Sequence, residues 1–121
     1  MSVPQTSGCV LVLEDSVLVA MAIETALADR GYDTIVAGTL AAAADRMNGT
    51  LPAAALLDLF LPDGNSISLA KSLHERGCKV ALCSGSDALP DDCDFAASFR
   101  KPVIADDLVR WLEGVTRKDD A

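Results

Sequence analysis

The stretch Ala53-Ala54-Ala55-Leu56-Leu57-Asp58-Leu59-Phe60-Leu61-Pro62-Asp63-Gly64 constrains the fold more than any other part of the chain. Five apolar residues lead without a polar break into one carboxylate, and a proline and a glycine follow it. An uninterrupted apolar run fits a strand covered on both faces, while Pro62 and Gly64 stop the strand from continuing. The pattern predicts a strand over Ala53 to Leu57, with Asp58 at its C-terminal end beside a loop. Parallel α/β sheets place their chemistry at that end.

The same grammar recurs along the chain. Cys9 to Leu13 is a second apolar run, ending at Glu14-Asp15. Val17 to Asp29, rich in Ala, Leu, Met and Glu, predicts a helix with Ser16 at its start and Gly31 closing it. Asp33 to Ala37 reads as a short strand, and Thr39 offers an N-cap for a helix over Leu40 to Met47 that Asn48-Gly49 ends. Ser66 to Arg76 predicts the third helix, capped by Ser66, and Val80 to Cys83 the fourth strand. Phe95 to Phe99 reads as the fifth strand. The last helix begins near Ile104 and turns Leu108, Trp111, Leu112 and Val115 inward, before a polar tail from Arg117 to Ala121.

Between Gly85 and Phe95 the alternation falters. Pro90 and the acids Asp87, Asp91, Asp92 and Asp94 leave little room for an amphipathic helix, so a helix is short or absent there. The expected fold is α/β: a doubly wound, five-stranded parallel sheet of flavodoxin-like topology, order 2-1-3-4-5. One domain spans residues 1–121, with an ordered core from about 8 to 116. The order 2-1-3-4-5 brings Glu14, Asp15 and Asp58 to the crevice between the first and third strands.

Composition narrows the partners. A net charge of −8 with no Lys/Arg cluster argues against nucleic acid and points to protein partners. No segment is suited to a bilayer, and the first eight residues lack the basic start and apolar core of an export signal, so a cytoplasmic location is expected. The four cysteines include no C-x-x-C pair, and Cys9 and Cys83 fall inside strand-like runs; all four read as reduced, buried residues.

Three carboxylates at neighbouring strand ends repel one another and attract a hard divalent cation, with Mg²⁺ the natural choice. Asp58 is then placed to attack phosphorus in line, while the metal and a lysine take up charge on the equatorial oxygens. Lys101, followed by Pro102, is the candidate lysine. Ser84, at the end of the fourth strand, can donate a hydrogen bond to a phosphoryl oxygen, and Gly85 leaves the backbone there open to approach.

These residues together resemble the response-regulator receiver domains of bacterial two-component signalling. The matching segments are Val10-Leu11-Val12-Leu13-Glu14-Asp15, Leu56 to Gly64, Ser84 and Lys101-Pro102, in family order over almost the whole chain. The resemblance implies a stand-alone, single-domain phosphorelay protein in which Asp58 accepts a phosphoryl group from a histidine kinase or histidine phosphotransferase. It implies Mg²⁺ held by Asp15 and Asp58 with the Phe60 carbonyl and Glu14, and Ser84 and Lys101 reading the phosphoryl group. Output is expected by contact with a downstream protein. The chain is not expected to be an enzyme beyond catalysing its own phosphorylation and dephosphorylation.

Two positions depart from the family pattern. Ser66 stands where a glycine is usual, with Gly64-Asn65 able to supply the unusual backbone angles. Ser98 stands where an aromatic normally swings inward, and Phe99 alternates to the opposite face as core. The alternative reading is a pseudo-receiver, a binding module independent of phosphorylation. A haloacid-dehalogenase-like phosphatase would want an acid two residues after its nucleophile, where Phe60 stands. A flavin site would want a loop without Glu14-Asp15. His74 reads as a solvated helix residue without a partner, and Trp111 as a packing anchor.

Overall fold

The computed structural model describes residues 9–85 and 91–117. Residues 1–8, 86–90 and 118–121, which include the acid Asp87 and most of the expected polar tail, lie outside the described residues. In chain order the elements are β1 (Cys9–Leu13), α1 (Val17–Ala28), β2 (Asp33–Ala37), α2 (Leu40–Met47) and β3 (Ala54–Asp58). A two-residue hairpin follows, β4 (Phe60–Leu61) and β5 (Gly64–Asn65), then α3 (Ile67–Glu75) and β6 (Lys79–Ser84). A 3₁₀ turn (Asp91–Cys93), β7 (Ala97–Arg100) and α4 (Ala105–Arg117) complete the fold.

The main sheet is parallel throughout, in the order β2-β1-β3-β6-β7. Setting aside the small hairpin, this is the expected 2-1-3-4-5 arrangement. Between β6 and β7 the described residues contain only the 3₁₀ turn, where a regular alternation would place a helix.

Side-chain alternation along each strand divides the core in two. Leu11, Leu13, Ala55, Leu57, Val80 and Leu82 face α2 and α3, meeting Ala43, Ala70 and Leu73. Val10, Val12, Leu56 and Ala81 face α1 and α4, meeting Ile23, Leu27, Leu108 and Leu112. Burying such a leucine contributes about 1.5–3 kcal/mol, which is why the apolar runs read so plainly as strands.

Local signals held at several boundaries. The Ser16 hydroxyl accepts from the Val19 amide (3.4 Å), and the Thr39 hydroxyl accepts from the Ala42 amide (3.0 Å). Asn48 (φ 46°) and Gly49 (φ 84°) end α2 in the left-handed region.

Other boundaries moved. The third strand runs over Ala54–Asp58 rather than Ala53 to Leu57, because the ladder continues past the carboxylate: the Leu59 amide donates to the Cys83 carbonyl (2.9 Å). The last strand starts at Ala97, two residues late, because Phe95 stacks on His74 instead of extending along β6. Ser66 holds the N-cap position of α3, but its side chain does not cap the helix. Its hydroxyl donates to the Asp58 carbonyl, and the Asn65 side-chain oxygen accepts from the Ile67 amide (3.1 Å) in its place.

Candidate functional site

β1 and β3 are neighbours whose helical connections lead to opposite sides, so their C-terminal ends flank the switch point of the sheet. Leu13 is paired with Leu57, which sets Glu14 beside Asp58. The Glu14 amide extends the β1–β2 ladder by donating to the Ala37 carbonyl (3.0 Å), and this holds the turn into α1 against the sheet. Oxygens of Glu14, Asp15 and Asp58 all lie within 4.8 Å of one another. Glu14 and Asp58 are buried, whereas Asp15 is exposed at the rim.

Backbone amides and one ammonium hold the carboxylates in place. The Asp15 amide donates to Asp58 Oδ2 (3.3 Å), and the Ser16 amide donates to Glu14 Oε2 (2.9 Å). Lys101 Nζ lies 2.8 Å from Asp58 Oδ1 and 3.6 Å from Glu14 Oε1. Its own amide donates to the Ser84 carbonyl (2.8 Å), so the lysine enters from the end of β7 at a fixed height, followed by a cis peptide to Pro102. Asp58 is paired with Cys83 across β3 and β6, and buried Ser84 is one residue beyond.

The electrostatics are those of crowded anions. Burial pushes the Glu14 carboxyl up to about 7; the Ser16 amide and Lys101 pull it down, while Asp58 pushes it further up. Burial works against the Lys101 ammonium, but Asp58, Glu14 and Asp15 outweigh it and leave its pKa above the ordinary value. The Cys83 thiol is pushed up to about 12, by burial first and then by Asp58 and Glu14, so it stays a neutral packing group. All the cluster's donors are oxygens and the pocket carries excess negative charge. That donor set fits a hard divalent cation.

Sequence reasoning placed Glu14, Asp15, Asp58 and Lys101 together, and the structure brings them together, with Ser84 on the adjacent strand end. Phe60 opens the hairpin two residues after Asp58 and is 69% exposed. Three further features were not foreseen. The hydroxyl of fully buried Ser66 donates to the Asp58 carbonyl at 2.6 Å, and its amide donates to the Leu59 carbonyl at 2.9 Å. Asp63, at the turn of the hairpin, accepts from the Leu40 amide (2.9 Å) and the Ala41 amide (3.1 Å), capping α2 from across the site. Exposed Val17, Leu18 and Met21 on α1, Phe60 on β4 and Ile104 just before α4 follow the same strand ends. For the three residues on α1 the sequence trace is that this helix is apolar nearly all round.

The doubly wound parallel sheet in this strand order is similar in fold to response-regulator receiver domains. A receiver domain protein from Methanospirillum hungatei JF-1, described as CheY-like, superposes with a TM-score of 0.80 at 22% identity, over 93% of this chain and 95% of that one. A CheY-like receiver domain from Methylobacillus flagellatus gives 0.75 at 24% identity, over 88% and 97%. The receiver domain of Francisella response regulator 1452 gives 0.78 at 24% identity, over 93% and 98%. No family profile and no curated sequence matches the chain.

Proposed function

We propose that the protein is a phosphoryl-accepting signalling module whose acceptor is Asp58. The observation that carries this reading is one carboxylate, 2% exposed, facing a lysine at 2.8 Å and two further acids at the C-terminal ends of parallel strands. An Asp58 carboxylate oxygen attacks the phosphorus of a phosphohistidine. The O–P bond forms as the P–N bond breaks, and the leaving imidazole nitrogen recovers a proton from solvent. Lys101 faces the oxygens that gain charge, and Ser84 offers a hydroxyl to one of them.

Asp15, Asp58 and Glu14, with the Phe60 carbonyl, would hold Mg²⁺, which supplies charge neutralisation for the transferred group. The donor of the phosphoryl group is a histidine kinase or histidine phosphotransferase. Exposed Val17, Leu18 and Met21 on the helix that follows Asp15 favour a protein donor over a small molecule, because they offer apolar area beside the acceptor. The protein works in the cytoplasm and passes the signal by contact with another protein. Among the described residues no helix is long and apolar enough to cross a membrane.

Incubation with acetyl phosphate and Mg²⁺, followed by the mass of the intact protein, tests the reading. One added phosphoryl group that is absent in Asp58→Asn is expected; no addition, or addition that persists in the variant, overturns it. A second reading, contact without phosphorylation, is favoured by exposed Ser98 on the edge strand where an inward-swinging aromatic would stand. Partner binding unchanged by both acetyl phosphate and Asp58→Asn would select it.

A further inference from the structure

At the end of the sheet away from Asp58, a cleft of about 290 Å³ opens beside the N-terminal ends of β6 and β7, between the close of α3 and the later turns of α4. Three aromatic side chains line it. The His74 and Phe95 rings stack with centroids 4.4 Å apart and planes 20° from parallel. Trp111 lies on the other side, held edge-on by Phe99 at 6.2 Å. Gly77, Cys78, Val80 and Ala97 complete much of the wall.

The described lining of this cleft carries no acidic side chain. Among the described residues, Lys79 and His74 are the basic side chains along it. Lys79 forms no ion pair with another described residue, although the chain as a whole is strongly acidic. The Cys78 thiol is pushed up to about 12, chiefly by burial, so the wall beneath is neutral and apolar near physiological pH. Flat rings favour a flat ligand, because stacked and edge-on contacts recover both apolar area and quadrupole attraction. The Lys79 ammonium at the lip, with no carboxylate paired to it among the described residues, favours an anion, whose carboxylate can stay partly hydrated there.

We propose that this cleft binds a small planar aromatic carboxylate, its ring against Phe95 and Trp111 and its carboxylate facing Lys79. The cavity lies at the small end of ligand pockets, which limits the ligand to one or two fused rings. A ligand of that size in a half-open cleft binds in about the millimolar range. None of the lining residues belongs to the Asp58 cluster, so the proposal stands independently of phosphorylation.

The test is a titration of the isotope-labelled full chain with 2-naphthoate, neutral 2-naphthamide and cationic 2-naphthylmethylamine, followed through backbone amide shifts. Saturable shifts at Gly77, Cys78, Val80 and Ala97 are expected, with affinity falling in the order carboxylate, amide, amine. Lys79 is exposed, so Lys79→Gln leaves the fold intact; it weakens naphthoate about tenfold and leaves naphthamide unchanged. Shifts that do not saturate by about 10 mM, a bound well below fragment-like affinity, overturn the proposal. Shifts on other faces, any other order of the three probes, or an unchanged naphthoate affinity in Lys79→Gln also overturn it.

Discussion

Lys101 Nζ sits 2.8 Å from Asp58 Oδ1, so the ammonium already neutralises part of the charge on that carboxylate. Removing that ammonium exposes two opposed effects. Lys101→Ala leaves Asp58 and Glu14 uncompensated and lowers the stability of the metal-free protein by about 1–2 kcal/mol, a figure discounted because Lys101 is one-third exposed. The same variant binds Mg²⁺ severalfold more tightly, because no resident cation competes. Urea unfolding with and without Mg²⁺ reads both effects, and a weaker Mg²⁺ response would contradict the competition.

Asp15 separates metal binding from folding. Its side chain is exposed, so Asp15→Asn changes stability by less than about 0.5 kcal/mol. It removes one anionic oxygen from the cluster and lowers Mg²⁺ affinity about tenfold or more. Calorimetric titration of both proteins gives the comparison.

Ser66 is a positioning residue for Asp58. Ser66→Ala deletes a buried 2.6 Å hydrogen bond to the Asp58 carbonyl and costs about 1–3 kcal/mol by denaturant unfolding. The rate of labelling by acetyl phosphate falls while Mg²⁺ affinity is unchanged, since no oxygen of the metal cluster is removed.

Asp63 makes the N-terminus of α2 sensitive to acid. The Leu40 and Ala41 amides hold its carboxyl below the usual carboxylate range. A folded value below the unfolded one means the cap contributes fully above about pH 3.9 and is lost as pH falls through the folded value. The Leu40 and Ala41 amide shifts should therefore titrate with a midpoint below 3.9, the ordinary aspartate value, and not at all in Asp63→Asn.

Cys78 and Cys83 limit the alkaline side. Burial, named first among the causes at both sites, pushes their thiols up to about 12. The folded state keeps those protons while the unfolded chain loses them near pH 8.5, so stability is fully present below that value and falls as pH rises toward 12. At pH 8 both thiols should resist a thiol reagent until denaturant is added. Rapid labelling of either in the native protein would contradict their burial.

Much of this fold was legible because the signals were local or periodic. The run ending at Asp58, the run ending at Glu14-Asp15, the caps Ser16 and Thr39 and the stop at Asn48-Gly49 each act within a few residues. Where the expectation moved, a distant partner had intervened. Ser66 carries the residue type of a cap, but its hydroxyl found the Asp58 carbonyl instead. Phe95 carries the residue type of a strand, but its ring found His74, which sequence reasoning left without a partner.

By itself the sequence determined that apolar runs end in Glu14-Asp15 and Asp58, that a lysine-proline pair follows the last strand, and that no regular helix is favoured between Gly85 and Phe95. Runs, caps and breakers are properties of neighbouring residues, so they survive without a fold. Only the tertiary structure decided that Asp63 caps α2 across the site, that Ser66 fixes the Asp58 backbone, and that His74, Phe95 and Trp111 enclose a cleft with Lys79. Each of those contacts joins residues far apart in the chain, and their geometry is set by strand register and helix packing, not by any local preference.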